Sequence, residues 1–185
     1  AIAAGATSGS TSVAAPGDDV IIDAGSVSAT IASSSGGGFE SLSIDGTAAV
    51  TSVSDTIDTT TATLTATPSV AEGGTITYTV ALGAPVTGSD VTVTLANGQT
   101  VTIPVGSSSG NVATAVADNV FAGGGSVSNS IASIGGGNFE QLTPNTAPVT
   151  TAVTDDGDVT TVSLTATAGV VEGGEVSMFY DPMIA

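Results

Sequence analysis

The chain has 185 residues, enough for one ordinary domain or two small ones, and it combines 17 acidic residues with no Lys, Arg, His, Cys or Trp. Its formal net charge is −17, and without a basic side chain to neutralise phosphate it is not expected to bind nucleic acid. Histidine general bases, Schiff-base lysines, disulfides, and zinc, haem or iron–sulfur ligands are excluded by the same composition. Carboxylate, hydroxyl, amide and backbone oxygens remain, and these suit hard cations.

The remaining composition favours a folded β protein. Hydrophobic residues make up 41% of the chain and the mean hydropathy is +0.44, above what a disordered acidic tail shows. The β-branched residues Val, Ile and Thr pack well on pleated sheets. The sequence contains no apolar run of about 18 residues, so no membrane insertion is predicted.

The sequence repeats itself at a spacing of 100 positions. Asp18 returns as Asp118, Phe39-Glu40 as Phe139-Glu140, and Glu72-Gly73-Gly74 as Glu172-Gly173-Gly174. One register held over so many positions indicates a true repeat. A period of this length matches a whole small domain rather than a solenoid unit.

The repeat divides the chain into five segments in order. Residues 1–54 are the C-terminal half of one repeat, 55–58 a joint, 59–154 one complete unit, 155–158 a second joint, and 159–185 the start of a third repeat. Residues 178–185 depart from the repeated pattern. The chain is therefore predicted to be a slice of a longer tandem array, with neighbouring repeats as its first partners.

Alternation of apolar residues with Thr predicts the strands of the complete unit. In chain order they fall near 61–67, 75–82, 91–95, 101–105, 111–117, 126–133 and 148–154. The pair Asn97-Gly98 predicts a hairpin between the third and fourth strands. The predicted fold is all-β, a series of tandem immunoglobulin-like antiparallel β-sandwich domains of about seven strands each.

The carboxylates are expected to cluster where one unit meets the next. If the strands run alternately up and down, one end of each unit collects most of the acidic loops. In the complete unit these are Glu72, Asp118, Asp155, Asp156 and Asp158. In the preceding half-unit they are Asp18, Asp19, Asp23, Asp55 and Asp58.

This placement supports a hypothesis of Ca²⁺ at each joint. Clustered like charges repel unless a cation lies between them, and Ca²⁺ takes about 6–8 oxygen ligands at about 2.3–2.6 Å. The candidate metal ligands are Asp18, Asp19, Asp55, Asp58, Glu72, Asp118, Asp155, Asp156 and Asp158. Joints of this kind should be loose without divalent metal and stiff with it. The alternative is that acidic loops only keep an extracellular protein soluble.

Catalysis and phosphate binding find little support. Paired carboxylates could serve a glycosidase, but that chemistry needs a cleft and usually aromatic sugar platforms, and the chain has only four Phe and two Tyr. The triplets Gly36-Gly37-Gly38 and Gly135-Gly136-Gly137 lack the helix and Lys of a phosphate-binding loop. We expect instead a loop with positive φ angles and an anchoring Phe, and no enzyme.

The segments Asp58–Thr67, Val70-Ala71-Glu72-Gly73-Gly74 and Ile76-Thr77-Tyr78 resemble the tandem repeats of large bacterial biofilm adhesins exported by type I secretion. The resemblance covers nearly the whole chain except residues 178–185. It implies an extracellular, cell-surface extender that holds a distal adhesive domain away from the cell, often with Ca²⁺ at the joints. It assigns metal binding to Asp18, Asp55, Asp58, Asp118, Asp155 and Asp158. Asn119 and Gly123 stand where the first joint has Asp19 and Asp23, so the two joints are expected to coordinate differently.

Two other functions remain open at this point. One is a self-assembling filament or surface-layer subunit, in which like chains pair because residues 159–185 supply first strands that residues 1–54 lack; counterparts of residues 86–100 would be missing. The other is a carbohydrate- or surface-binding module that uses its loops or its Thr-rich faces.

Overall fold

The computed structural model describes residues 1–183, and all regular structure in that part of the chain is β-strand. The strands are β1 (Gly25–Ala29), β2 (Ala49–Val53), β3 (Thr59–Ala66), β4 (Ser69–Ala71), β5 (Thr75–Ala81), β6 (Val91–Leu95), β7 (Thr100–Ile103), β8 (Ser109–Ala115), β9 (Gly125–Asn129), β10 (Ile131–Gly136), β11 (Gln141–Pro144), β12 (Val149–Thr154), β13 (Thr161–Ala166) and β14 (Met178–Met183). The all-β prediction is confirmed. Within residues 1–183 there is no helix that is long and apolar enough to span a membrane.

Residues 59–154, the complete unit, form three sheets with the strand orders β11-β3-β5-β8, β10-β6-β7 and β4-β12-β9. Alternating side chains of β3 and β5 pack against those of β6, β7 and β10 in one hydrophobic core. Thr residues occupy most of the intervening, outward positions. The predicted Asn97-Gly98 hairpin is confirmed, since β6 and β7 are antiparallel and flank that turn.

The complete unit differs from the sequence prediction in two details. The predicted strand at 126–133 is two strands, because the chain leaves one sheet at Ser130: β9 pairs with β12, whereas β10 pairs with β6. The short strands β4 and β11 were not predicted, and each makes a parallel pair, β4 with β12 and β11 with β3. Such short pairings at sheet edges have no strong period-2 signal in the sequence.

Every buried hydrophobic side chain of the described residues lies in the complete unit. The set is Ala62, Leu64, Ile76, Tyr78, Val80, Leu82, Val86, Val91, Val93, Leu95, Val101, Ile103, Ile131 and Phe139. The flanking segments contain strands but no buried hydrophobic residue. The core therefore belongs to one unit; Val20 and Ile21 pack against it, while most large apolar side chains of the described flanking segments are exposed.

The core contains a buried polar atom that is expected to lower the stability of the fold. The Tyr78 hydroxyl is buried and has no hydrogen-bond partner among the described residues. We expect Tyr78→Phe to raise the free energy of unfolding by about 1 kcal/mol, because an unpaired buried hydroxyl is destabilising. Chemical denaturation measures the change. Tyr180→Phe, at an exposed position, is the control and should leave stability unchanged.

The flanking hairpins repeat the pairing of the complete unit. Strand β1 pairs with β2 as β9 pairs with β12, with Gly25 opposite Val53 where Gly125 is opposite Val153. Strand β13 pairs with β14 as β3 pairs with β5, and the register is again shifted by 100 positions. Residues 178–183, which depart from the repeated sequence pattern, therefore form a strand at the position that corresponds to β5. Ile184 and Ala185 lie outside the described residues.

Candidate functional site

Two clusters of acidic loops mark the ends of units. The first joint combines the loop 17–24, the linker 55–58 and the loop 137–140 of the complete unit. The second joint combines the loop 117–124 with the linker 155–158. Each linker follows the last strand of a unit, β2 or β12, so the fold places the linker carboxylates beside the loop that precedes β1 or β9.

The second joint brings three predicted ligands together. Carboxylate oxygens of Asp118, Asp156 and Asp158 lie within 4.8 Å of one another, and all three residues are exposed. The negative charge of Asp156, followed by partial desolvation and by the charges of Asp118 and Asp155, raises the pKa of Asp158. This repulsion is what a cation between the carboxylates would relieve.

The other two predicted ligands at the second joint make structural hydrogen bonds. Asp155 accepts the backbone N–H groups of Gly123 and Gly157, at 2.8 and 3.0 Å, and these bonds lower its pKa. Glu72 accepts a hydrogen bond of 2.7 Å from the Asn119 side-chain amide. Both side chains thus fix the loop around the trio.

The first joint contains a cavity of about 190 Å³. Five carboxylates line it: Asp18, Asp19, Asp23, Asp55 and Glu140. These do not approach as closely as the trio of the second joint, which is the sole group of three carboxylates within 4.8 Å among the described residues. The predicted ligand Asp58 is not part of the cavity lining; its backbone N–H donates to Glu140 at 2.7 Å.

Three of the first-joint carboxylates accept hydrogen bonds from nearby backbone or hydroxyl groups. Asp55 accepts the backbone N–H groups of Asp23 and Ala24, at 3.1 and 3.0 Å, which is the counterpart of the Asp155 contact with Gly123. Asp19 accepts the backbone N–H of Ile21 at 2.7 Å, and Asp18 accepts the hydroxyl of Thr56. Partial desolvation and the charges of Asp19 and Asp55 raise the pKa of Asp23.

Main-chain hydrogen bonds also connect the two sides of the first joint. The N–H of Ile22 donates to the carbonyl of Asn138 at 3.0 Å, and the N–H of Glu140 donates to the carbonyl of Val20 at 3.1 Å. Ile21 and Phe139 lie opposite each other between these bonds as an antiparallel bridge. The Asn138 side-chain amide adds a third bond, 2.9 Å to the carbonyl of Ile22. The 20–22 segment therefore pairs directly with the 138–140 segment through hydrogen bonds.

This two-part architecture agrees with the comparison with known families. Residues 1–56 and residues 58–156 each match the LapA domain, and together the two matches cover more than half of the chain. The chain belongs to the LapA domain family. No curated protein matches it.

The LapA domain belongs to large bacterial adhesins that act in biofilm adhesion, which makes this chain adhesin-related. The family is structural and non-enzymatic, and it implies a place outside the cell or at its surface. The resemblance noted in the sequence is confirmed at this level of detail.

The contact between the 20–22 and 138–140 segments was not predicted from the sequence. A signal was present in the repeated Gly-rich stretch before Phe39 and Phe139. The predicted positive φ angles are confirmed at Gly36, Gly37, Gly38, Gly136 and Gly137. They are not found at Gly135, which lies with Gly136 at the end of β10 rather than in a loop. The predicted Phe anchor is confirmed only for Phe139, which is 7% exposed, while Phe39 is 69% exposed.

Proposed function

We propose that this chain is part of the extender of a bacterial cell-surface adhesin, in which tandem immunoglobulin-like β-sandwich repeats hold a distal adhesive region away from the cell. The observation that carries the proposal is the direct junction between two successive repeats at the first joint. There the chain leaves one unit at Asp55, enters the next at Asp58, and is fixed on both sides by hydrogen bonds.

The proposed domain bounds are those of the repeat, with residues 59–154 as the complete unit between two joints. The two LapA matches meet at residue 57, which lies within the first joint. The shared strand registers of the flanking hairpins and the restriction of the core to residues 62–139 support the same bounds. A spacer built this way needs no pocket or reactive group, because its task is to keep the direction of the chain from one repeat to the next.

Calcium at the joints is the second part of the proposal. The trio Asp118, Asp156 and Asp158 offers oxygen ligands in an exposed loop cluster, where water can complete the coordination of Ca²⁺. Calcium sites of extracellular modules have dissociation constants of about 10⁻⁴–10⁻³ M, so millimolar calcium is the relevant range. Binding would link the exit of one unit to its own loop and stiffen the second joint.

We expect added Ca²⁺ to raise the melting temperature of the chain. Stabilisation should reach about 1.4 kcal/mol when the concentration is ten times the dissociation constant. Asp118→Asn and Asp158→Asn should each remove most of this effect, whereas Glu175→Gln, an exposed carboxylate away from the joints, should retain it. Acid should weaken binding, since a raised pKa lets protons compete at Asp158.

Calorimetry and thermal melts with calcium, magnesium or chelator measure this binding. Small-angle scattering of dilute protein tests the extender separately: we expect an elongated particle, with fewer bent conformations when calcium is present. If calorimetry detects no heat of calcium binding, the calcium proposal is overturned and the extender proposal is not affected. A compact or freely jointed particle under every condition would overturn the extender.

A further inference from the structure

The complete unit has a groove of about 370 Å³ between the end of β8 and the start of β9. The apolar side chains that line it are Ile76, Val116, Val127 and Val153, together with three alanine and glycine neighbours of these strands. At one end, the tip of the β6–β7 hairpin approaches β8, where Gln99 accepts a hydrogen bond from the hydroxyl of Thr114. Glu72 lies at the other end, since its N–H donates to the carbonyl of Thr154 beside the Val153–Gly125 pair.

One wall of the groove is an unpaired strand edge. Strand β9 pairs with β12 along one edge and, among the described residues, with no strand along the other. The neighbouring strand β6 ends at the hairpin, and the last bond on that side runs from the N–H of Ala96 to the carbonyl of Ser130, at 2.9 Å. Backbone groups of alternate residues point to the same edge of a strand. Those of Ser126 and Ser128 therefore lie along the unpaired edge.

Strand β9 lacks the features that usually protect an edge. Natural edge strands are blocked by charged side chains, Pro or bulges, whereas β9 has the sequence Gly-Ser-Val-Ser-Asn. Its last residue, Asn129, is 3% exposed, and the Nδ2 atom is buried without a hydrogen-bond partner among the described residues. The Oδ1 atom accepts the N–H of Asn97 at 3.2 Å, which places this side chain at the hairpin end of the edge. A carbonyl of an added strand would supply the acceptor that Nδ2 lacks.

We propose that the groove binds an extended, basic peptide segment of a partner protein, which adds to β9 as an antiparallel strand. The segment continues the direction of β6, and its main chain pairs with the backbone groups of Ser126 and Ser128. Every second side chain, Val or Ile, covers the apolar wall formed by Val116 and Val127. The C-terminal end of the segment then lies beside Glu72.

Charge selects a basic partner for this groove. Glu72 lines one end of it, and the carboxylates of Asp118, Asp156 and Asp158 belong to the same joint. The chain has a net charge of −17 and no Lys or Arg to offset these groups. A second copy of the chain would therefore be repelled, whereas Lys or Arg at the C-terminal end of a bound segment would be attracted to Glu72.

The groove belongs to the complete unit and does not depend on the flanking segments. At the first joint the following unit pairs with residues 20–22, and it contributes only Glu140 to the cavity found there. The counterparts of residues 20–22 are residues 120–122, which do not line the groove. A following repeat joined in the same way would leave the groove open. The inference depends neither on calcium nor on the extender role.

The test measures binding of a capped, fluorescently labelled peptide of alternating Val and Thr that ends in Lys. With chelator present and at about 0.15 M salt, its fluorescence anisotropy should rise to saturation as protein is added. The amide resonances of Ser126 and Ser128 should shift on binding. A peptide with N-methyl groups on the residues that face β9 should not bind, because it cannot donate hydrogen bonds to the edge.

Ser128→Pro removes an N–H from the unpaired edge and should weaken peptide binding by at least about fivefold. Ser128→Ala keeps that N–H and is the matched control, which should bind like wild type. Equal melting temperatures should show that both variants fold; if the Pro variant does not, the N-methylated peptide makes the same test from the other side. Glu72→Gln should weaken binding of the Lys peptide by about two- to fivefold and leave binding of the same peptide ending in Gln unchanged.

Three results would overturn the proposal. The first is a wild-type chain that shows no saturable binding at about 1 mM peptide, and the second is equal binding by Ser128→Pro and Ser128→Ala. The third is protection of the Ser126 and Ser128 amides that rises with protein concentration in the absence of peptide, because a second copy would then fill the groove.

Discussion

Leu64→Ala is expected to lower the free energy of unfolding by about 3 kcal/mol, whereas the same change at Leu164 is expected to alter it by less than about 0.5 kcal/mol. The two leucines occupy equivalent positions of the repeat, each within the sequence Leu-Thr-Ala-Thr. They also have equivalent strand pairing, with Leu64 opposite Val80 and Leu164 opposite Tyr180. Burial is what separates them: Leu64 is 5% exposed and Leu164 is 58% exposed.

The difference follows from the cavity that the truncation leaves. Removing three carbons of Leu64 opens space in a core that the opposite sheets hold in place, and the lost contacts are not replaced. Removing them from Leu164 leaves no cavity, because the strand has solvent on that face. The sequence Leu-Thr-Ala-Thr and the strand register are shared by both sites, so the comparison reports mainly on packing.

Urea denaturation measures the change in the free energy of unfolding of each variant. The thermal midpoint of Leu64→Ala should fall by about 4–8 °C for each kcal/mol lost. Equal losses in both variants would mean that residues 159–183 have a packed core of their own, contrary to the structure.

The strands themselves were readable from the sequence because their side chains alternate strictly. Residues such as Ile76, Tyr78 and Val80, with Thr between them, give a period of two that only a half-buried strand satisfies. The repeat then placed the joints without any structural information. Strands β4 and β11 could not be predicted, because strands of three or four residues are too short to show a clear alternation of apolar and polar side chains.

The candidate site was predictable in its location but not in its contacts. Connectivity put Asp118 and Asp158 at one end of the unit, and the structure brings them together with Asp156. Composition could not show that Asp55 and Asp155 are engaged by backbone N–H groups. Nor could it show the pairing of the 20–22 and 138–140 segments, because main-chain hydrogen bonds do not require particular side chains.

That main-chain pairing changes what is expected of the joints. The sequence alone suggested joints that are loose until a cation binds. At the first joint, however, Val20, Ile22, Asn138 and Glu140 already link successive units through hydrogen bonds that need no metal. Calcium, if it binds there, adds to a contact that exists without it.

Gly136→Ala is expected to disrupt this joint and to destabilise the complete unit by at least about 2 kcal/mol. Gly136 ends β10 with a φ of +92°, and a Cβ there would lie 2.2 Å from the carbonyl oxygen of Asp90. The strand must shift to relieve that overlap. The 138–140 segment begins two positions after Gly136, so we expect it to shift as well. The pairing with the 20–22 segment should therefore loosen together with the core.

Gly36→Ala is the matched control, since Gly36 has nearly the same φ, +87°, but no atom within 4 Å of its Cβ position. It should lower the stability of the complete unit very little, because residues 1–54 contribute no buried hydrophobic residue. Amide exchange of Ile22 and Glu140, the two backbone donors of the joint, reports on the pairing directly. Protection of both amides should fall in Gly136→Ala and persist in Gly36→Ala. If it persists in both, β10 does not position the joint, and the contact between units depends on the linker 55–58 instead.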